Sequence, residues 1–452
     1  MNAPAPGTSA APSPRTVATA SFVGTTVEYF DFFIYGTAAA LVLPKLFFPS
    51  GSTFAGVLAS FATFAIGFLA RPIGGIVFGH YGDRIGRKAM LTLTLVLMGV
   101  ASFCIGLLPT YASVGVLAPL LLVFLRLVQG FAFGGETGGA LLMAYEYAPP
   151  GKRGFFTSLP QVGPAAGVLL GNVAFLPIAA LPEEALFSWG WRIPFLASIL
   201  LVIIGVVIRQ RIPETPQFAK VKATRGVAKL PIAEAFRRHW REILLVTGGF
   251  LGFGAYSAVL FTYMVSFATT HAGVSRSSIL SAVLICTAVQ LVTIPLGGAL
   301  SDRFGRGALT AGGAVLAGIG AFGMFAAVQS GNFAVMVTAY VLIGAGIYST
   351  AYGALWATFV EAFDTRVRYS GMSLGFQLSN VFGSGFAPLI CTVLLQVTGT
   401  AMAPAAFVAL LMLISAVSLV FLVRRAKRIV AAADAEHAPD AEAPGPLTSE
   451  PA

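Results

Sequence analysis

The chain has 452 residues, 57% of them hydrophobic and 10% charged, with a formal net charge of +10. Soluble globular proteins carry roughly 25% charged residues, so a soluble domain of this length could not cover its surface with so few. The apolar residues fall in long runs, which makes lipid the main solvent, and in a membrane bundle the 51 Gly and 26 Pro are tolerated.

Residues 1–16, rich in Ala, Pro and Ser, lack the charged start and short apolar core of a signal peptide and are expected to form a disordered cytoplasmic tail. Runs of about 18 or more apolar residues, each able to cross a hydrocarbon core, then predict six spans at 17–43, 54–79, 89–108, 116–144, 155–180 and 190–209. These make up a first half over 17–209. A basic linker follows at 210–241 and is expected on the inner leaflet. Six more spans are predicted at 242–268, 277–300, 308–328, 333–360, 369–397 and 403–423, forming a second half over 242–425. The Ala-, Pro- and acid-rich stretch 426–452 has no heptad pattern and is expected as a disordered tail. Strands of a β-barrel would alternate over about ten residues, so the expected class is an all-α membrane protein.

Lys and Arg orient the bundle. With the N-terminus in the cytoplasm, 23 of the 28 fall in inner segments, two (Lys45 and Arg276) in outer loops, and three (Arg71, Arg126 and Arg192) within or beside spans. This is a strong positive-inside bias. It places both termini inside, in a cell membrane, and explains the net charge without a nucleic acid. The three cysteines, Cys104, Cys286 and Cys391, lie in separate apolar runs and read as packing residues, with no metal or redox spacing.

The halves repeat. Gly82-Asp83-Arg84-Ile85-Gly86-Arg87-Lys88 follows span 2, and Ser301-Asp302-Arg303-Phe304-Gly305-Arg306 follows span 8, 219 residues later. Glu146 and Arg153 after span 4 match Glu361 and Arg368 after span 10 at an offset of 215. Gly163, Gly167 and Gly171 in span 5 match Gly375, Ser379 and Gly383 in span 11 at 212. Small residues four apart share one helix face and let two backbones approach. Parallel halves of this kind place a solute site near the midplane between them.

The Asp-Arg-x-Gly-Arg loop and its second copy resemble the major facilitator superfamily. Four segments are similar, more narrowly, to its metabolite:proton symporter family. They are Glu28-Tyr29-Phe30-Asp31-Phe32, Ala70-Arg71-Pro72-Ile73-Gly74-Gly75, Arg126-Leu127-Val128-Gln129-Gly130 through Gly134-Gly135-Glu136, and Trp189-Gly190-Trp191-Arg192-Ile193-Pro194-Phe195. The similarity runs over about residues 17–425. It implies a twelve-helix, two-half fold, a rocker-switch cycle driven by proton symport, and a cargo of the kind that family carries: shikimate, 2-oxoglutarate, citrate, or proline and betaine. It also implies that Arg71 is a ligand for a substrate carboxylate.

A charge at the bilayer centre costs at least about 2.5–3.5 kcal/mol and is usually paired or functional. Asp31 and Arg126 fall near mid-depth. Asp31, with Glu28 three residues away on the same face, is expected to carry the coupled proton. Arg126 is expected to set its pKa or hold an anionic substrate, the competing reading being a static Asp31–Arg126 ion pair. Arg71 and Glu136 are placed nearer the cytoplasm, where they could pair structurally. Arg192 reads as a snorkelling residue at an outer boundary. The second half has no charge near mid-depth. Its Tyr256, Tyr263, Gln290, Tyr348, Tyr352, Gln377 and Asn380, with Tyr35 of span 1, are candidate polar contacts for an oxygen-rich solute. Asp83, Arg84, Gly86, Arg87, Lys88, Asp302, Arg303 and Arg306, with Glu136, are expected to form conformational gates. A carboxylate in such a loop can face the positive end of a helix.

No metalloprotease, nucleophile-elbow or phosphate-loop pattern occurs, so an enzyme or ATP-driven pump is not expected, nor any cofactor or metal. The expected activity is proton-coupled import of a small organic acid by a monomer whose partners are solute, protons and membrane lipid. A proton symporter of a zwitterionic osmolyte and a uniporter on the same scaffold stay open as alternatives.

Overall fold

The structure, a computed structural model, describes residues 14–49, 52–85, 87–134, 139–146, 148–210, 231–363 and 368–436. Those residues form helices and connections, with no strand among them. The helices of the first half are α1 (Pro14–Leu41), α2 (Thr53–Phe78), α3 (Arg87–Leu107), α4 (Leu117–Phe133), α5 (Arg153–Ala179) and α6 (Arg192–Gln210). The second half has α7 (His239–Thr270), α8 (Arg276–Phe304), α9 (Ala308–Gln329), α10 (Phe333–Glu361), α11 (Gly371–Thr398) and α12 (Met402–Glu436). Eight of these are long and apolar enough to cross a membrane alone. A short lead-in, Glu183–Gly190, meets α6 at a 40° bend and passes the same test with it. The shorter apolar α3 and α4, together with α1, complete the expected twelve.

Local signals set several ends. Ser275 opens α8 by accepting the Ser278 amide at 3.1 Å, and Asn332 opens α10 by accepting those of Ala334 and Val335 at 2.9 and 3.3 Å. Gly305, at φ +89°, stops α8 where an L-residue would be strained. Three expected boundaries differ. The α1 helix begins at Pro14, inside the stretch assigned to the N-terminal tail, of which residues 1–13 lie outside the described residues. The α7 helix is entered from Pro231 through a kink at His239, so helix starts inside the expected linker, of which 211–230 lie outside the described residues. The α12 helix runs on to Glu436, past the expected start of the C-terminal tail, because Ala-rich sequence propagates helix well.

Within each half, α2 packs on α4 and α8 on α10, and between the halves α5 packs on α8, α2 on α11 and α1 on α7. The crossings within each half are set by glycine. A Cβ at Gly74 would come within 1.8 Å of the Phe131 carbonyl oxygen, and one at Gly134 within 2.0 Å of the Arg71 carbonyl oxygen. The second half repeats this, with Gly297 against the Thr350 carbonyl at 2.1 Å and Gly353 against that of Ile294 at 2.0 Å. The duplication is therefore visible as one reciprocal backbone contact made twice. Among the described residues, five π-helical turns interrupt the bundle, at Leu186–Gly190, Val259–Tyr263, Ala308–Gly312, Tyr340–Tyr348 and Asn380–Gly385.

Backbone cannot yield as a flexible side chain can. Gly74→Ala is expected to separate α2 from α4 at a cost of about 1–3 kcal/mol, read as a lower unfolding temperature in detergent. Gly312→Ala, whose Cβ would meet nothing within 4 Å, is the matched control and should leave that temperature unchanged or raised.

Candidate functional site

Between the halves lies a cavity of about 630 Å³, counted to its open side. The first half lines it with Tyr29, Phe32, Phe68, Arg71 and Gln161, and the second with Ser257, Gln290, Tyr348, Tyr352, Asn380 and Ser384. Five expected contacts, Arg71, Gln290, Tyr348, Tyr352 and Asn380, are thus brought together. The other expected substrate contacts stand behind the wall. Tyr256 stacks on Tyr348 with centroids 4.8 Å apart and faces an apolar recess with Leu260 and Met324. Gln377 reaches the Gly134 carbonyl at 3.5 Å. Tyr35 is fully buried and bonded to the Thr63 hydroxyl. Sequence reasoning missed Gln161, Ser257 and Ser384. A lone Gln or Ser in an apolar run usually reads as a packing group, and periodicity does not say which face meets a cavity.

The Arg71 guanidinium carbon lies 3.9 Å from the ring centres of Phe68 and Phe133 and 4.8 Å from that of Phe32. Ring faces favour a cation by about 2 kcal/mol each when desolvated. The residue is 3% exposed, its Nε has no hydrogen-bond partner, and no carboxylate among the described residues pairs with it. Glu136, its expected partner, lies outside the described residues.

The Asp31–Arg126 ion pair, the competing reading of these two residues, is not formed among the described residues. The Arg126 guanidinium lies over the Tyr35 ring at 3.9 Å, and its Nη1 donates to Gln129 Oε1 at 2.9 Å. Gln129 Nε2 in turn donates to Ser102 Oγ at 2.7 Å. Asp31, 1% exposed, adjoins the hydroxyls of Ser102 on α3 and Ser198 on α6, with neither carboxyl oxygen in a hydrogen bond of standard geometry. The physical reason is the i,i+3 spacing of Arg126 and Gln129, which puts the amide on the guanidinium's own face. Glu28 is also buried, one turn before Asp31 on α1.

The halves are tied at both faces. At the face bearing the termini, Asp302 at the end of α8 accepts the backbone amides of Gly154 and Phe155, at 2.7 and 2.9 Å, at the start of α5. Arg306 pairs with Glu361, Glu361 accepts from the Tyr145 hydroxyl at 2.9 Å, and Arg153 donates to that hydroxyl at 3.0 Å. Asp302 and Arg306 therefore take the expected gate positions, the carboxylate facing a helix N-terminus. Arg303 does not, since it is exposed and lies over Phe304 at 5.6 Å. In the first copy, Gly86 and the side chains of Asp83, Arg84, Arg87 and Lys88 lie outside the described residues. At the opposite face Glu183 accepts from Arg276 at 2.7 Å and meets Lys45 at 3.6 Å. Arg192, expected to snorkel, instead donates to the carbonyls of Gly106 and Leu108, both at 2.7 Å, and so closes the end of α3.

A cavity of mixed apolar and polar lining between two packed six-helix halves, tied at both ends, is the arrangement of a multi-pass membrane transporter. Residues 21–381 match the family model of the Major Facilitator Superfamily, and the chain belongs to that superfamily. It is 40% identical over 388 residues to the inner membrane metabolite transport protein YhjE of Escherichia coli (strain K12), covering 84% of this chain and 87% of that one. It is 38% identical to the shikimate transporter of the same organism (87% and 90% covered) and 34% identical to the proline/betaine transporter of Salmonella typhimurium strain LT2 (90% and 82% covered). Among solved structures, the D-xylose-proton symporter superposes with a TM-score of 0.69 at 18% identity, covering 91% of this chain and 97% of that one, a likeness of fold.

The Arg276 hydrogen bond, with the Lys45 charge, holds the Glu183 carboxyl below the usual carboxylate range. A group stabilised as the anion contributes its tie above its ordinary value near 4 and loses it as pH falls through the lowered one. The distance between spin labels on the α1–α2 and α7–α8 connections should therefore stay constant from about pH 5 to pH 8. Glu183→Gln should widen that distance across the whole range.

Proposed function

We propose that this protein is a proton-coupled symporter importing a small organic acid across the inner membrane, with both termini in the cytoplasm and the monomer as its working unit. The observation that carries this reading is the buried guanidinium of Arg71, which lines the central cavity with no carboxylate partner among the described residues and shares that lining with neutral amides and hydroxyls. A carboxylate about 4 Å away gains about 4 kcal/mol at an effective dielectric of 20. That gain offsets part of its desolvation, whereas a cationic solute would be repelled by the same amount. Gln290, Asn380, Ser384, Tyr348 and Tyr352 hold the oxygen-rich remainder. Similarity to a shikimate transporter supports a hydroxylated acid. The 23-to-2 division of Lys and Arg supports the orientation.

Asp31 carries the proton. It is a buried carboxyl among hydroxyls that can serve either protonation state, and Arg126 communicates with it through Gln129 and Ser102. Glu28, one turn away, assists proton access. The gate residues of both loop copies, with Glu136, stabilise the state closed towards the cytoplasm.

A second reading, a zwitterionic osmolyte, is favoured by one observation. Tyr348 and Tyr352, with ring centres 5.8 Å apart, offer aromatic faces to an ammonium group across the cavity from Arg71. It also agrees with the similarity to proline/betaine transporters.

Arg71→Ala should raise KM for the acid by about 30-fold or more, as loss of a buried charge partner costs on the order of 2–5 kcal/mol. Arg71→Lys should recover part of this. Competition of radiolabelled uptake by a hydroxylated monocarboxylate, a dicarboxylate and betaine identifies the cargo, and exclusive inhibition by betaine overturns the acid reading. Asp31→Asn should abolish protonophore-sensitive accumulation while retaining solute exchange. Unchanged accumulation in that variant sinks the proton assignment, and wild-type equilibration without accumulation makes the protein a uniporter.

A further inference from the structure

The groups around Asp31 have hydrogen-bonding directions that the chemistry fixes. A guanidinium can only donate, so Gln129 must turn Oε1 to Arg126 and its amide N–H towards Ser102. Ser102 Oγ is thereby an acceptor from Gln129, and among the described hydrogen bonds it makes none to a carbonyl of its own helix. Its proton is free to be donated to Asp31. Ser198 is the opposite case. It gives its proton to the Phe195 carbonyl at 2.7 Å, so it can offer Asp31 only lone pairs.

We infer that Gln129, Ser102 and Ser198 are positioning residues of a one-way relay, in which Ser102 donates to the Asp31 carboxyl and Ser198 accepts the proton that Asp31 carries. This rests on the reading of Asp31 as the proton carrier and deepens it. Every donor then points the same way, from the Arg126 guanidinium through Gln129 and Ser102 to Asp31, and from protonated Asp31 through Ser198 to the Phe195 carbonyl. The carboxylic acid completes the chain. The carboxylate can still take the Ser102 proton but faces Ser198 oxygen to oxygen. Displacement of Arg126 frees the Gln129 amide, and Ser102 is no longer obliged to serve Asp31. The occupancy of the arginine region is thus transmitted to the proton site through two neutral side chains. No bond other than the carboxyl O–H is made or broken.

The other groups near this level do not supply the effect. On α1 itself the titratable residues are Glu28, Tyr29 and Tyr35; α2 brings Arg71, α3 Cys104, α4 Arg126, and α7 Tyr256 and Tyr263. Around Asp31, α5 and α6 contribute no charge. None of the cations is ion-paired to Asp31 among the described residues.

The test is the pH dependence of uptake and, separately, of solute exchange in proteoliposomes. Ser198→Ala removes the acceptor of the acid form and should move the midpoint of uptake about one pH unit to the acid side, a tenfold change in proton occupancy at fixed pH. Ser198→Thr, which keeps a hydroxyl, should restore it. Ser102→Ala should move the midpoint the opposite way. Gln129→Leu should follow Ser102→Ala with a smaller shift, and the double variant should add nothing to Ser102→Ala, because Gln129 acts through Ser102. Asp31→Asn in the same assay separates the two readings. If it abolishes accumulation while the serine and glutamine variants change only maximal rate or folded yield, the relay is overturned and Asp31 stands. If Asp31→Asn accumulates solute normally, the proton assignment fails and the relay with it.

Discussion

Two guanidinium groups in the interior of the first half, those of Arg71 and Arg126, are held by aromatic faces and, among the described residues, by no carboxylate. Much else in the bundle follows from that constraint. A cation in an apolar interior must be compensated, and the usual solution, an adjacent acid, would leave nothing for a solute. Here Phe32, Phe68 and Phe133 compensate Arg71, and Tyr35 compensates Arg126, without neutralising either. The acid that is present, Asp31, stands apart behind two neutral side chains. In the proposed cycle, separating the charges keeps the arginines attractive to an anion and the carboxyl free to change protonation state.

The ties at the two faces are built differently. The one at the face bearing the termini uses Asp302 on the backbone amides of α5 and an Arg306–Glu361–Tyr145–Arg153 chain, all partly buried. The one at the opposite face is a single exposed carboxylate between two cations. Exposed pairs are screened and worth little, whereas bonds from a carboxylate to helix amides are among the stronger ones. The opposite face is therefore the more weakly tied of the two.

Much of the fold could be read from the chain. Hydropathy located the spans because lipid demands long apolar helices, and the loop repeats located the halves because duplication preserved their spacing. Arg71, Gln290, Tyr348 and Asn380 could be picked out because a polar group in an apolar run is rare. What could not be read was direction. Counting rise per residue places a Cα at a depth, but the Arg71 side chain turns into an aromatic cage and Arg192 turns back onto the end of α3. The absent Asp31–Arg126 ion pair is of the same kind, because two residues at one depth need not meet. The Arg126-Leu127-Val128-Gln129 spacing was the available signal that Gln129 takes the guanidinium first. Ser102 and Ser198 carried no signal, since serine in such helices ordinarily bonds its own backbone.

The π-helical turns add a consequence of another sort. Three of them, in α7, α10 and α11, fall beside cavity residues of the second half: Val259–Tyr263, Tyr340–Tyr348 and Asn380–Gly385. A π turn holds one residue more than the α-helix around it. Straightening it rotates every side chain on one flank by about a third of a revolution while the helix ends stay where they are. The second half thus has slack in its wall that the charge-bearing helices α1, α2 and α4 lack among their described residues. Natural selection can therefore act on the two copies of the ancestral half separately. Substitutions in the second can therefore reshape its share of the cavity wall without moving the charge-bearing helices of the first.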